Sequence, residues 1–76
     1  MLTVYTKPNC NKCSNLKAKM LRLQIPHTLL VIGQDVTRED FLNKYPEAKS
    51  VPFVLEGEKV IEDPHEYIEE NFENMQ

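Results

Sequence analysis

Cys10-Asn11-Lys12-Cys13 is the one constellation in this chain of 76 residues that specifies a reaction. On a helix, residues three apart lie on neighbouring faces, near enough to close a small disulfide ring; a strand would point them in opposite directions. The pair can therefore switch between dithiol and disulfide. Cys10 falls at an expected helix start, where the aligned peptide dipoles amount to about half a positive charge and unpaired N–H groups favour a thiolate. Lys7 and Lys12 push the same way. The expectation is a lowered pKa for Cys10, while Cys13, a turn deeper, stays a thiol until needed. Cys10 would then attack a substrate disulfide, and Cys13 would displace the reduced substrate, leaving Cys10 and Cys13 as a redox-active disulfide.

The competing use of such a pair is metal binding. A zinc site needs four ligands, and the chain offers the two cysteines with His27 and His65, which lack the spacing of a second ligand pair. Both histidines read as ordinary half-exposed side chains. A copper(I) carrier also places C-x-x-C after a first strand, using soft thiolates. Val51-Pro52 is the second informative position. X–Pro bonds are the usual location of cis peptides, and a cis bond there would turn the Val51 backbone outward. The alternative is an edge strand with proline at its first residue.

These residues need elements to hold them. Leu2-Thr3-Val4-Tyr5-Thr6 reads as a strand, stopped at Lys7-Pro8. From Cys10 to Leu23, Cys13, Leu16, Met20 and Leu23 recur at helical spacing, with Asn9 as the expected N-cap and Gln24-Ile25-Pro26 as the end. His27 to Ile32 is a short run more apolar than alternating, which suits a parallel strand covered on both faces, and Gly33 closes it. Thr37-Arg38-Glu39-Asp40 opens a second helix with Phe41, Leu42 and Tyr45 as its apolar face, ended by Pro46. A hairpin follows, from Val51 to Ile61 with Gly57 in its turn. Asp63-Pro64 then starts a last helix with Ile68, Phe72 and Met75 on one face. The order βαβαββα predicts an α/β fold, one mixed four-stranded sheet with helices on both faces, in a single domain over residues 1–76.

Composition excludes several other classes. Hydrophobic residues at 41% and charged residues at 28% describe an ordinary globular chain, and two cysteines are too few for a disulfide-dense secreted scaffold. The longest apolar run, Leu29-Leu30-Val31-Ile32, is far short of the ~20 residues that span a bilayer. With no visible signal peptide, the reading is a cytoplasmic monomer that binds no membrane. The net charge of −3 conceals an asymmetry: residues 1–34 hold five basic residues and no acid, residues 35–76 four basic residues and all twelve acids. The basic residues follow one helix pattern without interleaved aromatics, which argues for a solvated face over nucleic-acid binding.

Taken together, Val4-Tyr5-Thr6-Lys7-Pro8-Asn9-Cys10 with Cys13, Asp35-Val36-Thr37-Arg38-Glu39-Asp40-Phe41, Ala48-Lys49-Ser50-Val51-Pro52 and Gly57-Glu58-Lys59-Val60-Ile61 resemble the small glutaredoxins of the thioredoxin superfamily, of the size found in bacteria and their viruses. The resemblance implies a thioredoxin-like fold and a thiol–disulfide oxidoreductase that reduces protein disulfides. Cys10 would be the nucleophile and Cys13 the resolving thiol. Pro52 would be the family's cis-proline facing the pair, with Val51 offering backbone hydrogen bonds to substrate. Lys7 would match the family lysine near the thiolate, which also meets a glutathione carboxylate. Ribonucleotide reductase is a typical recipient of the electrons.

Two departures bear on what the chain binds. Lys12 stands where glutaredoxins usually carry an aromatic residue, adding charge and removing a stacking surface. The Gly-Gly-Cys-Asp type segment that grips the γ-glutamyl end of glutathione corresponds to Glu62-Asp63-Pro64-His65; Pro64 has no N–H to donate, and Glu62 brings a repelling charge. The expectation is a reductase with no tightly bound cofactor and weakened use of glutathione, recharged by a flavoprotein of the thioredoxin reductase type. The metal carrier is the alternative. Cluster assembly through glutaredoxin dimers generally uses a monothiol motif and glutathione as a ligand, and Cys13 and the altered segment both count against it.

Overall fold

A computed structural model of the chain describes residues 2–48 and 50–72. The elements run β1 (Leu2–Thr6), α1 (Asn11–Arg22), β2 (His27–Val31), α2 (Arg38–Lys44), β3 (Phe53–Glu56), β4 (Lys59–Ile61) and α3 (Pro64–Asn71), in the expected order. The four strands form one sheet in the order β2-β1-β3-β4. β1 pairs parallel with β2, Leu2 opposite His27, and antiparallel with β3, Tyr5 opposite Phe53. β3 and β4 close a hairpin through Gly57, whose φ of +62° is a conformation that costs glycine nothing. None of the described helices is long and apolar enough to cross a membrane.

Alternation along β1 sends side chains to two cores. Leu2 and Val4 join Leu16 and Met20 of α1, Ile25, Val54 and Ile68 of α3 on one side of the sheet. Tyr5 joins Leu55 and Phe41 of α2 on the other. There Tyr5, Phe41, Tyr45 and Phe53 form an aromatic cluster with centroid separations from 4.9 to 6.3 Å. Its rings come from three separate stretches of chain, β1, α2 with its C-cap, and β3, and only the Phe41 to Tyr45 spacing is visible in the sequence.

Each helix is terminated by a nameable device. Thr37 caps α2 by accepting from Asp40 N–H at 3.0 Å, and Asp63 caps α3 by accepting from Glu66 N–H at 3.1 Å, with Pro64 in the first turn. α1 ends earlier than Pro26 requires. Gln24 takes φ +56°, Ile25 N–H donates to the Met20 carbonyl and Gln24 N–H to that of Leu21, the paired bonds of a Schellman motif. Ile25 then folds back beside Met20 in the core.

Several expectations are corrected. Asn9 does not cap α1: it sits in the left-handed region at φ +60°, which asparagine tolerates, and Cys10 takes the cap position. β2 is parallel and covered on both faces as expected, Leu29 packing toward α1 and Leu30 toward α2, but it is an edge strand with Thr28 exposed, and Ile32 lies past its end in an isolated bridge with Val36. Leu42, expected on the apolar face of α2, is 36% exposed, because Phe41 and Tyr45, four residues apart, already fill the line along which so short a helix meets the sheet. β3 starts at Phe53, is flanked on both sides, and is therefore no edge strand; Val51 and Pro52 precede it. Met75 lies outside the described residues.

Leu16 is fully buried between α1 and the sheet. Leu16→Ala is expected to lower the unfolding free energy by about 3 kcal/mol, read by urea denaturation.

Candidate functional site

β1 ends at Thr6, and the turn through Pro8 and left-handed Asn9 delivers Cys10 in extended geometry, φ −108° and ψ 110°, at the head of α1. A helix leaves its first N–H groups without intrahelical partners, and a serine, threonine or aspartate usually accepts from one of them. Here the acceptor is sulfur: Cys13 N–H donates to Cys10 Sγ at 3.2 Å. The Cys10 carbonyl meanwhile accepts from Ser14 N–H at 3.0 Å, closing the first turn. Both cysteines are free thiols, Cys10 half-buried and Cys13 only 4% exposed.

The two sulfurs are driven apart in acidity. The Cys13 thiol donates to Cys10 and pulls its pKa below the ordinary thiol value; partial burial opposes this, while the N–H groups of Cys13 and Lys12 and the Lys7 ammonium assist. Cys13 is pushed up to about 11, first by burial and then by donating to Cys10 and by the charge Cys10 carries, against a lowering influence of Lys7. One shared hydrogen bond thus favours a thiolate at the outer sulfur and a thiol at the inner one. Lys12 acts on Cys10 through its backbone N–H, and its side chain is exposed.

Of the remaining sequence-selected residues, Lys7 shares one groove with Cys13 and another with Val51. Lys7 lines two grooves. One, of about 250 Å³, is formed with Cys13, Ser14, Lys17 and the end of β2. The other, of about 400 Å³, is formed with Arg38, Leu42, Ser50 and Val51. The Val51-Pro52 peptide bond is cis. Pro52 lines a third groove with Phe53, Val60 and Glu62. Lys17 and Arg38 line these grooves without having been singled out by the sequence; the basic excess over residues 1–34 was the signal that could have found Lys17, whereas Arg38 lies in the acidic half and had none.

The histidines lie elsewhere. His27 is half-buried with Nδ1 donating to the Ile25 carbonyl at 2.8 Å, and His65 is exposed on α3. Among the described residues no group of three or more His, Cys, Asp or Glu side chains is gathered to hold a metal ion.

Thiolate is the reactive form, so the alkylation rate of Cys10 by iodoacetamide rises with pH through its pKa. The midpoint is expected below the ~8.5 of a free cysteine. Cys13→Ala removes the donating thiol and moves the midpoint upward; a wild-type midpoint at or above that of a free thiol would contradict the capping account.

Among solved structures, the fold is similar to an isozyme E7 glutathione S-transferase from Drosophila melanogaster, with TM-score 0.70 and 20% identity over 95% of this chain and 35% of that one. An epsilon-class glutathione S-transferase from the housefly, Musca domestica, gives TM-score 0.71 with the same identity and coverage. The chain thus spans about a third of the length of these structures, and at that identity they speak for the fold alone. No curated protein matches the sequence. The family model described as Glutaredoxin matches residues 2–61, so a thioredoxin-like sheet with a sulfur-capped C-x-x-C helix and a cis-proline ahead of β3 belongs, in this chain, to the glutaredoxin family.

Proposed function

We propose that this chain is a dithiol reductase of protein disulfides acting through Cys10 and Cys13. The observation that carries the proposal is the sulfur cap: Cys10 Sγ accepts from Cys13 N–H at the head of α1, beside a buried thiol of raised pKa. Cys10 thiolate attacks one sulfur of a substrate disulfide, forming a mixed disulfide and releasing the other sulfur as a thiol after it gains a proton. Cys13 loses its proton and attacks Cys10 Sγ, closing the Cys10 to Cys13 disulfide and releasing the second substrate thiol. Two electrons have passed to the substrate. Val51 and Pro52, next to the Lys7 groove, are the positions against which a substrate backbone would lie.

The recharging reductant must return both electrons. Glutathione is poorly served here. The Asp63 carboxylate is already taken as the cap of α3, Pro64 has no N–H, and Glu62 places a carboxylate in the same groove as Pro52. The proposal therefore includes recycling by a flavoprotein of the thioredoxin reductase type, in a reducing compartment such as the cytoplasm. Ribonucleotide reductase is the substrate that the family resemblance suggests.

Recycling of the oxidised protein by thioredoxin reductase with NADPH is expected to outpace recycling by glutathione with glutathione reductase; brisk glutathione turnover at low Michaelis constant would sink the assignment of reductant. Cys10→Ser is expected to abolish disulfide reduction, and Cys13→Ser to accumulate mixed disulfides visible by mass spectrometry. Equal residual activity in both would contradict the order of attack.

A further inference from the structure

The cations of the N-terminal half are not evenly spread around the fold. Lys7 and Lys17 line the groove that reaches Cys13, and Lys7 and Arg38 line the groove that reaches Val51; neither groove has an Asp or Glu among its described lining residues. Lys12 lies in the first turn of α1, two residues past Cys10, and all four cationic side chains are exposed. Farther along α1 the pattern changes: Lys19 is bridged to Glu69 of α3 at 3.3 Å. Acid collects on the other side of the cis-proline. The groove that Pro52 lines contains Glu47 and Glu62 with Lys44, and α3 carries Glu66, Glu69 and Glu70.

Resting on the reductase reading, we infer that the disulfide this protein reduces lies in an acidic segment of a protein partner, whose carboxylates seat against Lys7, Lys12, Lys17 and Arg38. The two cationic grooves, about 250 and 400 Å³, sit at or below the small end of ligand pockets, a size for individual side chains of an extended segment. Cys13 lines the smaller groove and Lys7 lines both, so a segment presenting its sulfur to Cys10 places its neighbouring side chains along them. Glu47 and Glu62 repel the same carboxylates from the Pro52 side and so bias how the segment lies. Because the four cations are exposed, they act chiefly by raising the encounter rate, and salt screens them.

The experiment follows single-turnover reduction, by the reduced protein, of three quenched disulfide peptides of equal length. Their cysteines are flanked by Asp and Glu, by Lys and Arg, or by uncharged residues; oxidised glutathione is the fourth substrate. Each is run at about 10 mM and about 150 mM ionic strength, between which the screening length falls from about 30 to about 8 Å. The acidic peptide is expected to react about tenfold faster than the basic one at low salt, with the gap closing at high salt. Lys17→Glu and Arg38→Glu are each expected to lower the ratio of acidic to uncharged rates several-fold. Equal rates for the charged peptides, or a preference indifferent to salt, overturns the inference. So does a salt-sensitive preference confined to glutathione, which would make the cations a site for a small anion. If the uncharged peptide is reduced without any charge preference, only the docking inference falls; if no peptide is reduced, the reductase reading falls with it.

Discussion

The head of α1 needs an acceptor for its orphan N–H groups, and the acceptor is the Cys10 sulfur. This one contact ties structure to chemistry, because the group that completes the helix is also the nucleophile of the proposed reaction. It rests on the elements around it. Thr6 ends β1, the left-handed Asn9 swings the chain, and Leu16 and Met20 anchor α1 against the sheet. An aspartate or serine at the same position would cap the helix and do no redox chemistry.

The same geometry divides labour between the thiols. A hydrogen bond from Cys13 to Cys10 favours charge on the accepting sulfur and the proton on the donating one, and burial of Cys13 widens the difference. Lys7 faces both thiols and lowers both pKa values. It opposes the burial of Cys13 without undoing it, which leaves the inner sulfur a thiol; in the proposed reaction its deprotonation belongs to the second step.

Charge is laid out unevenly over this member of the glutaredoxin family. The groove that Cys13 lines carries Lys7 and Lys17 and the groove that Val51 lines carries Lys7 and Arg38, while the groove that Pro52 lines holds Glu47 and Glu62 and α3 carries further acids. These acids crowd one another: the Glu66 pKa is raised by the neighbouring charges of Glu70 and Asp63. A net charge of −3 describes neither region.

Much of this was legible in the linear chain because it rests on local physics. The strand and helix periods, the caps at Thr37 and Asp63, the glycine turn at Gly57 and the C-x-x-C spacing each depend on residues within one turn of one another. They determine the order βαβαββα and mark the two sulfurs as a pair. What needed the folded chain depends on contacts between distant segments or on backbone states that several residues share. Asn9 is a good cap by type, yet the turn out of β1 holds it at positive φ and passes the role to Cys10. Val51-Pro52 permitted either isomer and an edge or a flanked strand; the sheet order placed β3 between two neighbours. The four-ring cluster around Tyr5, the exposure of Leu42 and the meeting of Lys7 with Lys17 in one groove and with Arg38 in another follow from packing α1 and α2 on opposite faces of one sheet. The chain alone determined which residues could react, and the tertiary structure decided what surrounds them, because neighbours across a sheet carry no fixed spacing in sequence.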